Sequence, residues 1–478
     1  MAEPAYDAIV VGSGAGGAAA AYKLVRSGLR VLMVEKGGFL PRDGSTLDIK
    51  KVFKDGVFKN KEPWVDGQNQ VFYPGEFYNV GGKTKWYGAA LLRFSPHEFE
   101  ADAAHQCLPW PFGYEALKPF YDEAEALLQV NVFANEAGLQ ALIDRIVQED
   151  AGWRPQSLPL GLKQAILGDP EEAKHFDGFA SACGYKSDAE WNLIDPIRED
   201  DRLTLTTERR VAGFLGEEGH PERIVGVRYA DGGSDLARFV VLAAGAMSSP
   251  RLLEDYLQET GLALRLPATA HVGTNFKFHI NSALLGFSIF KDEDVLRKTA
   301  IFFNDAFPHS TVQCLGWIDG DILGAQLPAA VPKFVANAFG ARAVGFFATT
   351  EDGSSPNNRI RSGGKDGYPV MDYRLDRIQA SLDEHHACVR AFQRVLRQAG
   401  MPGVDRYMGM AGTAHAVGTL VTGATAASSA CDPDGKVHGM EGLYVGDGSA
   451  LPRTSRVNPA LTIYAWGLRL GDHLARLV

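Results

Sequence analysis

The chain has 478 residues, with 48 Lys and Arg against 58 Asp and Glu, and 45% of it is hydrophobic. At roughly 100–200 residues per domain that length spans about three domain-equivalents, and the composition is that of a folded globular chain, which excludes wholesale disorder. A net charge of −10 excludes a protein that lives on nucleic-acid phosphates, a partner that demands a basic footprint.

The five cysteines, Cys107, Cys183, Cys314, Cys388 and Cys431, are scattered and form no CxxC pair. This argues against a disulfide framework and against a metal site. The opening residues carry no cationic segment ahead of their apolar stretch, so no signal peptide is expected. No window reaches the ~18 uninterrupted apolar residues of a membrane span; the longest candidate, 323–350, is broken by prolines and charges. The expected location is cytoplasmic.

In chain order, Tyr6 to Val11 is nearly all apolar, as a strand buried on both faces requires. The run Gly12-Ser13-Gly14-Ala15-Gly16-Gly17 follows, then an Ala-rich helix that stops at Gly28, then a strand from Arg30 to Val34 ending in Glu35. Glycines at 12, 14 and 17 between strand and helix, with an acid beyond, form a dinucleotide-binding unit. Gly12 permits the tight turn, Gly14 lets the backbone approach a pyrophosphate, and Gly17 lets the helix pack on the sheet. Glu35 accepts hydrogen bonds from the adenosine ribose. The unit alone does not separate NAD from FAD.

Residues 76–95 are a Gly-rich loop, and 114–129 has helical spacing with an acidic outer face. From 203 to 245 the pattern turns to strands, and RFVVLAAGAMSSPRLLEDYL reads as strand, turn and helix. Residues 280–400 carry little internal signal. Glu384-His385-His386 reads as an exposed stretch of helix; His97, His105 and His438 as turn or surface positions; Lys83 and Lys85 as solvated loop lysines. Trp110 and Phe112 read as loop packing.

GLYVGDGSALP (442–452) is a strand ending in Asp447, placed to accept from a ribityl hydroxyl or to hold a water on phosphate; the alternative is a turn-capping aspartate. His415 is the side chain best suited to take a hydroxyl proton near neutral pH, and Asn458 can align the same hydroxyl without competing for the proton. Alone, each has a bland explanation, a core histidine and a helix cap. Pro459 fits the start of the helix ALTIYAWGLRL.

GxGxxG with Glu35, VLAAGAMSSPRLL (241–253), HAVGT (415–419), GLYVGDGSALP and NPALTIYA together resemble the glucose-methanol-choline (GMC) flavoprotein oxidoreductases, in that family's order. YNVGGKTKWYGAALLRF (78–94) is similar to the family's glycine segment over the flavin ring, leaning to the pyranose-oxidase-like branch. VGTNFKFHI (272–280) looks like its VGxNxxxH block. The resemblance implies an α/β fold, a Rossmann-like FAD-binding domain with a second substrate domain on an antiparallel sheet. The expected division is 1–125, 203–278 and 405–478 for FAD, and 126–202 and 279–404 for substrate.

It further implies that His415 is the active-site histidine and Asn458 its partner. The implied cofactor set is Gly12, Gly14, Ala15, Gly17, Glu35, Lys36, Gly81, Gly82, Thr84, Val211, Ala244, Gly245, Asp447, Gly448, Asn458, Pro459, Leu461 and Thr462. Trp86 stands where covalently flavinylated relatives carry histidine, so FAD is expected to be noncovalent. The implied activity oxidises the CH–OH group of an alcohol, sugar or glycoside to a carbonyl, with O2 or an external acceptor taking the electrons. The alternatives are a hydroxynitrile lyase of the same fold, a non-catalytic flavin-binding protein, and an NAD-dependent dehydrogenase.

Overall fold

The computed structural model describes residues 4–289, 293–318, 320–326, 333–410 and 413–478. Three sheets organise them. In the first, Leu203–Thr206, Val31–Val34, Tyr6–Val11, Ser234–Leu242 and Leu443–Val445 lie side by side and parallel. Ala8, Ile9, Val10, Val11 and Val31 to Val34 are buried in its core, as continuous apolar runs demand when both faces are covered. The hairpin Val211–Glu217 and His220–Tyr229 extends the sheet antiparallel from the first residues of Ser234–Leu242.

Residues from the far end of the chain complete this layer. Leu443–Val445 pairs with Ser234–Leu242, whose other edge holds Tyr6–Val11. The first helix, Ala15–Arg26, packs against the last, Ala460–Ala475. Glycine makes that approach possible. A Cβ on Gly16 would lie 1.8 Å from the Gly446 carbonyl oxygen, and one on Gly467 would lie 2.3 Å from the Gly16 oxygen.

The second sheet is antiparallel, in the order Gly403–Tyr407, Ile280–Phe287, Ala343–Thr350, Ser310–Cys314, Ala300–Phe303, Arg154–Ser157. One face is apolar: Leu284, Val312, Cys314, Phe346 and Ala348 pack on Cys388, Phe392 and Val395 of the long helix Gln379–Gln398, and on Leu142 and Ile146 of Ala137–Glu149. The opposite face is polar. Asn281, Thr349 and Thr311 stand in one cross-strand row, with Gln313 two residues on. Strand alternation alone produces these two faces, and the polar one turns toward Arg456 and Asn458. A small third sheet joins Arg359–Arg361, Val370–Asp372, Trp64–Asp66 and Val71–Phe72.

Packing cuts across the expected division of the chain. Within 126–202, Ala137–Glu149 and Arg154–Ser157 go with the second sheet, whereas Leu158, Leu160, Leu162, Ile166, Phe176, Leu193 and Ile197 join the core of the first. Strand Gly403–Tyr407 spans the expected 404/405 boundary and belongs to the second sheet. Within 323–350, residues 327–332 lie outside the described residues; among the described ones no helix is long and apolar enough to cross a membrane.

Several positions read as solvated are interior. His385 is buried and hydrogen-bonded to Ser282 Oγ and Thr350 Oγ1, both at 2.9 Å, and burial pushes its pKa down to about 3. His105 is buried and stacks on His309 with ring centroids 3.6 Å apart. Lys85 is buried between Asp188 at 3.0 Å and Glu190 at 2.7 Å. Polar residues inside a sheet or loop leave the sequence pattern of solvated ones, because what admits them is a partner remote in the chain.

Candidate active site

The glycine turn behaves as its spacing predicts. Gly12 has φ +104°, and a Cβ there would meet the Ala243 oxygen at 2.3 Å; one on Gly17 would meet the Gly12 oxygen at 2.1 Å. Gly14 differs: a Cβ there meets nothing within 4 Å. The helix starting at Ala15 has no side-chain cap, so its first N–H groups point outward unsatisfied, as an anion site requires. Glu35 closes the turn, its Oε2 accepting from Ser13 N at 3.0 Å and Ser13 Oγ at 2.7 Å, its Oε1 from Gly37 N at 2.9 Å. Burial raises its pKa against those hydrogen bonds. Arg209 N donates to the Glu35 carbonyl, which brings Val211 alongside.

The loop after Tyr78 lies on this turn. Gly81 and Gly82 both have positive φ, Gly81 N donates to Ser13 Oγ at 3.1 Å, and a Cβ on Gly82 would sit 3.1 Å from Gly14 Cα. From the other side, Asp447 Oδ2 accepts from Gly245 N at 2.8 Å and from Ser249 Oγ, and Oδ1 accepts from Ser449 N at 2.7 Å. The segment after His415 runs along the one after Asp447: Gly418 N donates to Gly448 O and Leu420 N to Ser449 O. That ladder sets His415 beside the segment that follows Asp447.

Around His415 five groups form one chain. Gln313 Nε2 donates to Asn458 Oδ1 at 3.3 Å. Asn458 Nδ2 lies 3.2 Å from His415 Nε2, His415 Nδ1 lies 2.8 Å from His279 Nδ1, and His279 Nε2 lies 2.7 Å from the Ser455 carbonyl oxygen. His415 and Asn458 are partly open; His279 and Gln313 are buried. The His415 pKa is pushed well down, first by burial and then by His279, Lys298 and Lys83. Lys83 is held by Glu76 and donates to Thr413 O at 2.9 Å; Lys298 is held by Asp177 at 2.8 Å. An imidazole held neutral in this way, flanked by an amide and partly open, can accept a proton.

The comparisons with known proteins speak to what these residues serve. The sequence model described as FAD dependent oxidoreductase matches residues 7–303, and the one described as GMC oxidoreductase matches 354–467. The chain is a GMC-family, FAD-dependent oxidoreductase. Among curated relatives of this GMC oxidoreductase, a 6'''-hydroxyparomomycin C oxidase of Streptomyces lividus is 28% identical, with 99% of this chain and 93% of the relative covered. A paromamine 6'-oxidase of Streptomyces fradiae is 27% identical, over 98% and 91%. Among solved structures, a formate oxidase of Aspergillus oryzae RIB40 superposes with TM-score 0.71 at 14% identity, covering 100% of this chain and 99% of that one. The pyridoxine 4-oxidase of Mesorbium loti superposes with TM-score 0.67 at 16% identity, over 98% and 99%; both share the fold.

The GMC oxidoreductase's residues fit FAD. A Cβ on Gly245, at φ +86°, meets nothing within 4 Å, as at Gly14. The buried Ser449 Oγ has no partner among the described residues. Both lie on the rim shared by the glycine turn and Asp447. Other expected cofactor side chains are committed within the protein. Lys36 is held by Glu62 and lies over the Tyr78 ring. Thr84 Oγ1 donates to Gly81 O at 2.6 Å and accepts from Ala189 N. Thr462 Oγ1 is paired with the Tyr121 hydroxyl at 2.7 Å, and Leu461 is in the core. The last two can serve a cofactor only through backbone N–H groups of the final helix, which begins at Ala460 with Pro459 as its cap. Trp86 offers no nucleophile: its ring stacks on Phe77 at 4.8 Å and its Nε1 donates to Asn79 Oδ1 at 3.0 Å.

Sequence reasoning missed two members of the chain around His415. Gln313 sits in STVQC, where polar Thr311 and Gln313 alternate with apolar Val312 and Cys314. That period of two was the available signal. His279 closed the VGxNxxxH pattern of 272–279 without a role, and only the tertiary contact supplies one.

Proposed function

We propose that this GMC oxidoreductase oxidises a hydroxyl-bearing carbon of a sugar or glycoside to a carbonyl, with His415 as general base and Asn458 aligning the reacting oxygen. FAD, when bound, supplies the acceptor for the hydride. His415 Nε2 takes the hydroxyl proton while the Asn458 amide holds the same oxygen. Ser13, Gly14 and the first turn of the helix at Ala15 hold the pyrophosphate; Glu35 and the backbone at Val211 frame the adenosine; Gly245 and Ser449 line the remainder. The observation that carries the reading is the 3.2 Å contact between Asn458 Nδ2 and His415 Nε2, on an imidazole whose pKa burial pushes well down.

A hydroxyl-rich substrate is supported by the polar face of the second sheet. Asn281 Oδ1, Thr349 Oγ1 and Gln313 Oε1 are buried acceptors with no partner among the described residues, a costly arrangement unless a donor arrives. A long alkyl chain would leave them unpaired. The two relatives named for oxidation of paromamine and hydroxyparomomycin favour the same class. O2 is the proposed electron acceptor on the same relatives' names. A cytoplasmic setting is supported by the five cysteines, none of which is paired.

The test is anaerobic mixing of the yellow holoprotein with sugars, glycosides, amino sugars and alkanols, followed by air. Bleaching by the hydroxyl-rich group and rapid recovery with peroxide is the expected result. Failure of every hydroxyl donor to bleach the flavin overturns the reading, and slow recovery in air replaces oxidase by dehydrogenase. His415→Ala should slow bleaching by ~10²–10⁴-fold with FAD retained.

A further inference from the structure

We propose that His279 is a positioning residue that fixes His415 in the single neutral tautomer able to act as a base toward substrate. The inference rests on the role of His415 given above and goes beyond it, by assigning which nitrogen carries the proton and what decides this.

The direction of the hydrogen bonds follows from one fixed end. The Ser455 carbonyl can only accept, so His279 Nε2 carries a proton and donates to it at 2.7 Å. A neutral His279 then has a bare Nδ1. The contact from that nitrogen to His415 Nδ1, at 2.8 Å, requires His415 Nδ1 to be the donor. His415 Nε2 is left with its lone pair, which accepts from Asn458 Nδ2. The amide is oriented to match, because its Oδ1 accepts from Gln313. Reversing any one tautomer would set two protons or two lone pairs against each other at buried positions. Burial keeps His279 neutral, which the argument requires.

The fixed end is itself held under constraint. His279 and Ser455 are non-glycine residues at φ 72° and 65°, conformations that persist only where the surroundings over-determine them. Asp352 supplies that on one side, accepting from Phe278 N at 2.8 Å, His279 N at 3.2 Å and Thr454 Oγ1 at 2.9 Å. Glu351 supplies it on the other, accepting from Ser455 N at 3.1 Å and from the Arg453 guanidinium, while Ser455 Oγ donates to Glu98. Thus Asp352 and Glu351 are the charges facing His279, and Lys83 and Lys298 those acting on His415. No substrate contact is asked of His279; it acts through His415.

The test is nitrogen-15 NMR of the histidine-labelled holoprotein, with the His415 signals assigned by their loss in His415→Ala. A protonated Nδ1 and an unprotonated Nε2 on His415 are expected, and the opposite pattern overturns the inference without any variant of His279. Two substitutions add a kinetic arm. In His279→Gln an amide oxygen can accept from His415 while its NH2 donates to Ser455, so flavin bleaching by substrate should stay within about tenfold of wild type. His279→Leu removes the acceptor and should slow bleaching ~10²-fold or more, with FAD still bound and His415 giving a mixed tautomer spectrum. Equal rates in the Gln and Leu variants would overturn the positioning role. These outcomes are separable from failure of the underlying reading, which shows instead as undiminished bleaching in His415→Ala.

Discussion

The two large sheets solve opposite problems. The parallel sheet is buried on both faces and meets the cofactor through backbone: turns, N–H groups and places where a Cβ cannot stand. The antiparallel sheet is packed on one face by the helices Ala137–Glu149 and Gln379–Gln398, and presents on the other the polar side chains proposed to meet the substrate. The difference teaches where each half tolerates change. In the cofactor half the constraint is volume at particular glycines; in the substrate half it is the identity of a few polar atoms.

Substitutions can break or sharpen that contrast. The largest effect is expected at Gly16, where a Cβ would lie 1.8 Å from the Gly446 oxygen in rigid backbone. Gly16→Val should yield no soluble, FAD-loaded protein, read as the ratio of flavin to protein absorbance after purification. Gly14→Ala has room for its methyl and should fold with near-native melting but bind FAD at least tenfold more weakly in a fluorescence titration, because the methyl stands where the pyrophosphate approaches.

Next is the ion pair beneath the site. Glu351 and Arg453 are both fully buried. Burial alone would raise the Glu351 pKa, but the hydrogen bonds and charges of Arg453 and His309 drive it far below the usual carboxylate range. Arg453→Met strands that carboxylate and should cost about 3–5 kcal/mol in chemical denaturation. Smaller again is Gln313→Leu in the substrate half. It should leave FAD binding unchanged while weakening kcat/KM for hydroxyl-rich substrates by about tenfold or more, because it removes both a buried hydrogen bond and the donor that orients the Asn458 amide.

The smallest effect is a pH dependence of stability. His279, His385 and His415 all have pKa values depressed by burial. Below an unfolded pKa of about 6.5 the unfolded chain takes up protons that the native protein refuses, so stability is full above that pH and falls as pH drops beneath it. Melting temperatures between about pH 8 and about pH 5 should show that decline. The same depression keeps His415 unprotonated, so the acid limb of flavin bleaching should lie below about pH 6.5.

The cofactor half was legible because its rules are local. Continuous apolar runs marked Tyr6–Val11 and Val31–Val34, and glycine spacing marked the turn between strand and helix. Even there Gly16, with the tightest clash in that turn, carried no signal, since its obstacle is Gly446 from the other end of the chain. Asp447 shows the turn-capping reading, its side chain accepting from Ser449 N, and it also ties down Gly245 and Ser249. The substrate half was legible only in outline. Its strands are short, its polar face interrupts any apolar run, and His385, read as exposed, is satisfied by hydroxyls on two strands. His415 and Asn458 could be picked out individually, but their connection through His279 to a carbonyl depends on two left-handed residues that no local pattern announces.

The contact between the first and last helices sets a schedule for biosynthesis. Ala15–Arg26 leaves the ribosome while its partner, and the strand that covers Gly16, are still untranslated. The nucleotide cradle therefore cannot close before Ala460–Ala475 has been made, however early its glycine turn emerges.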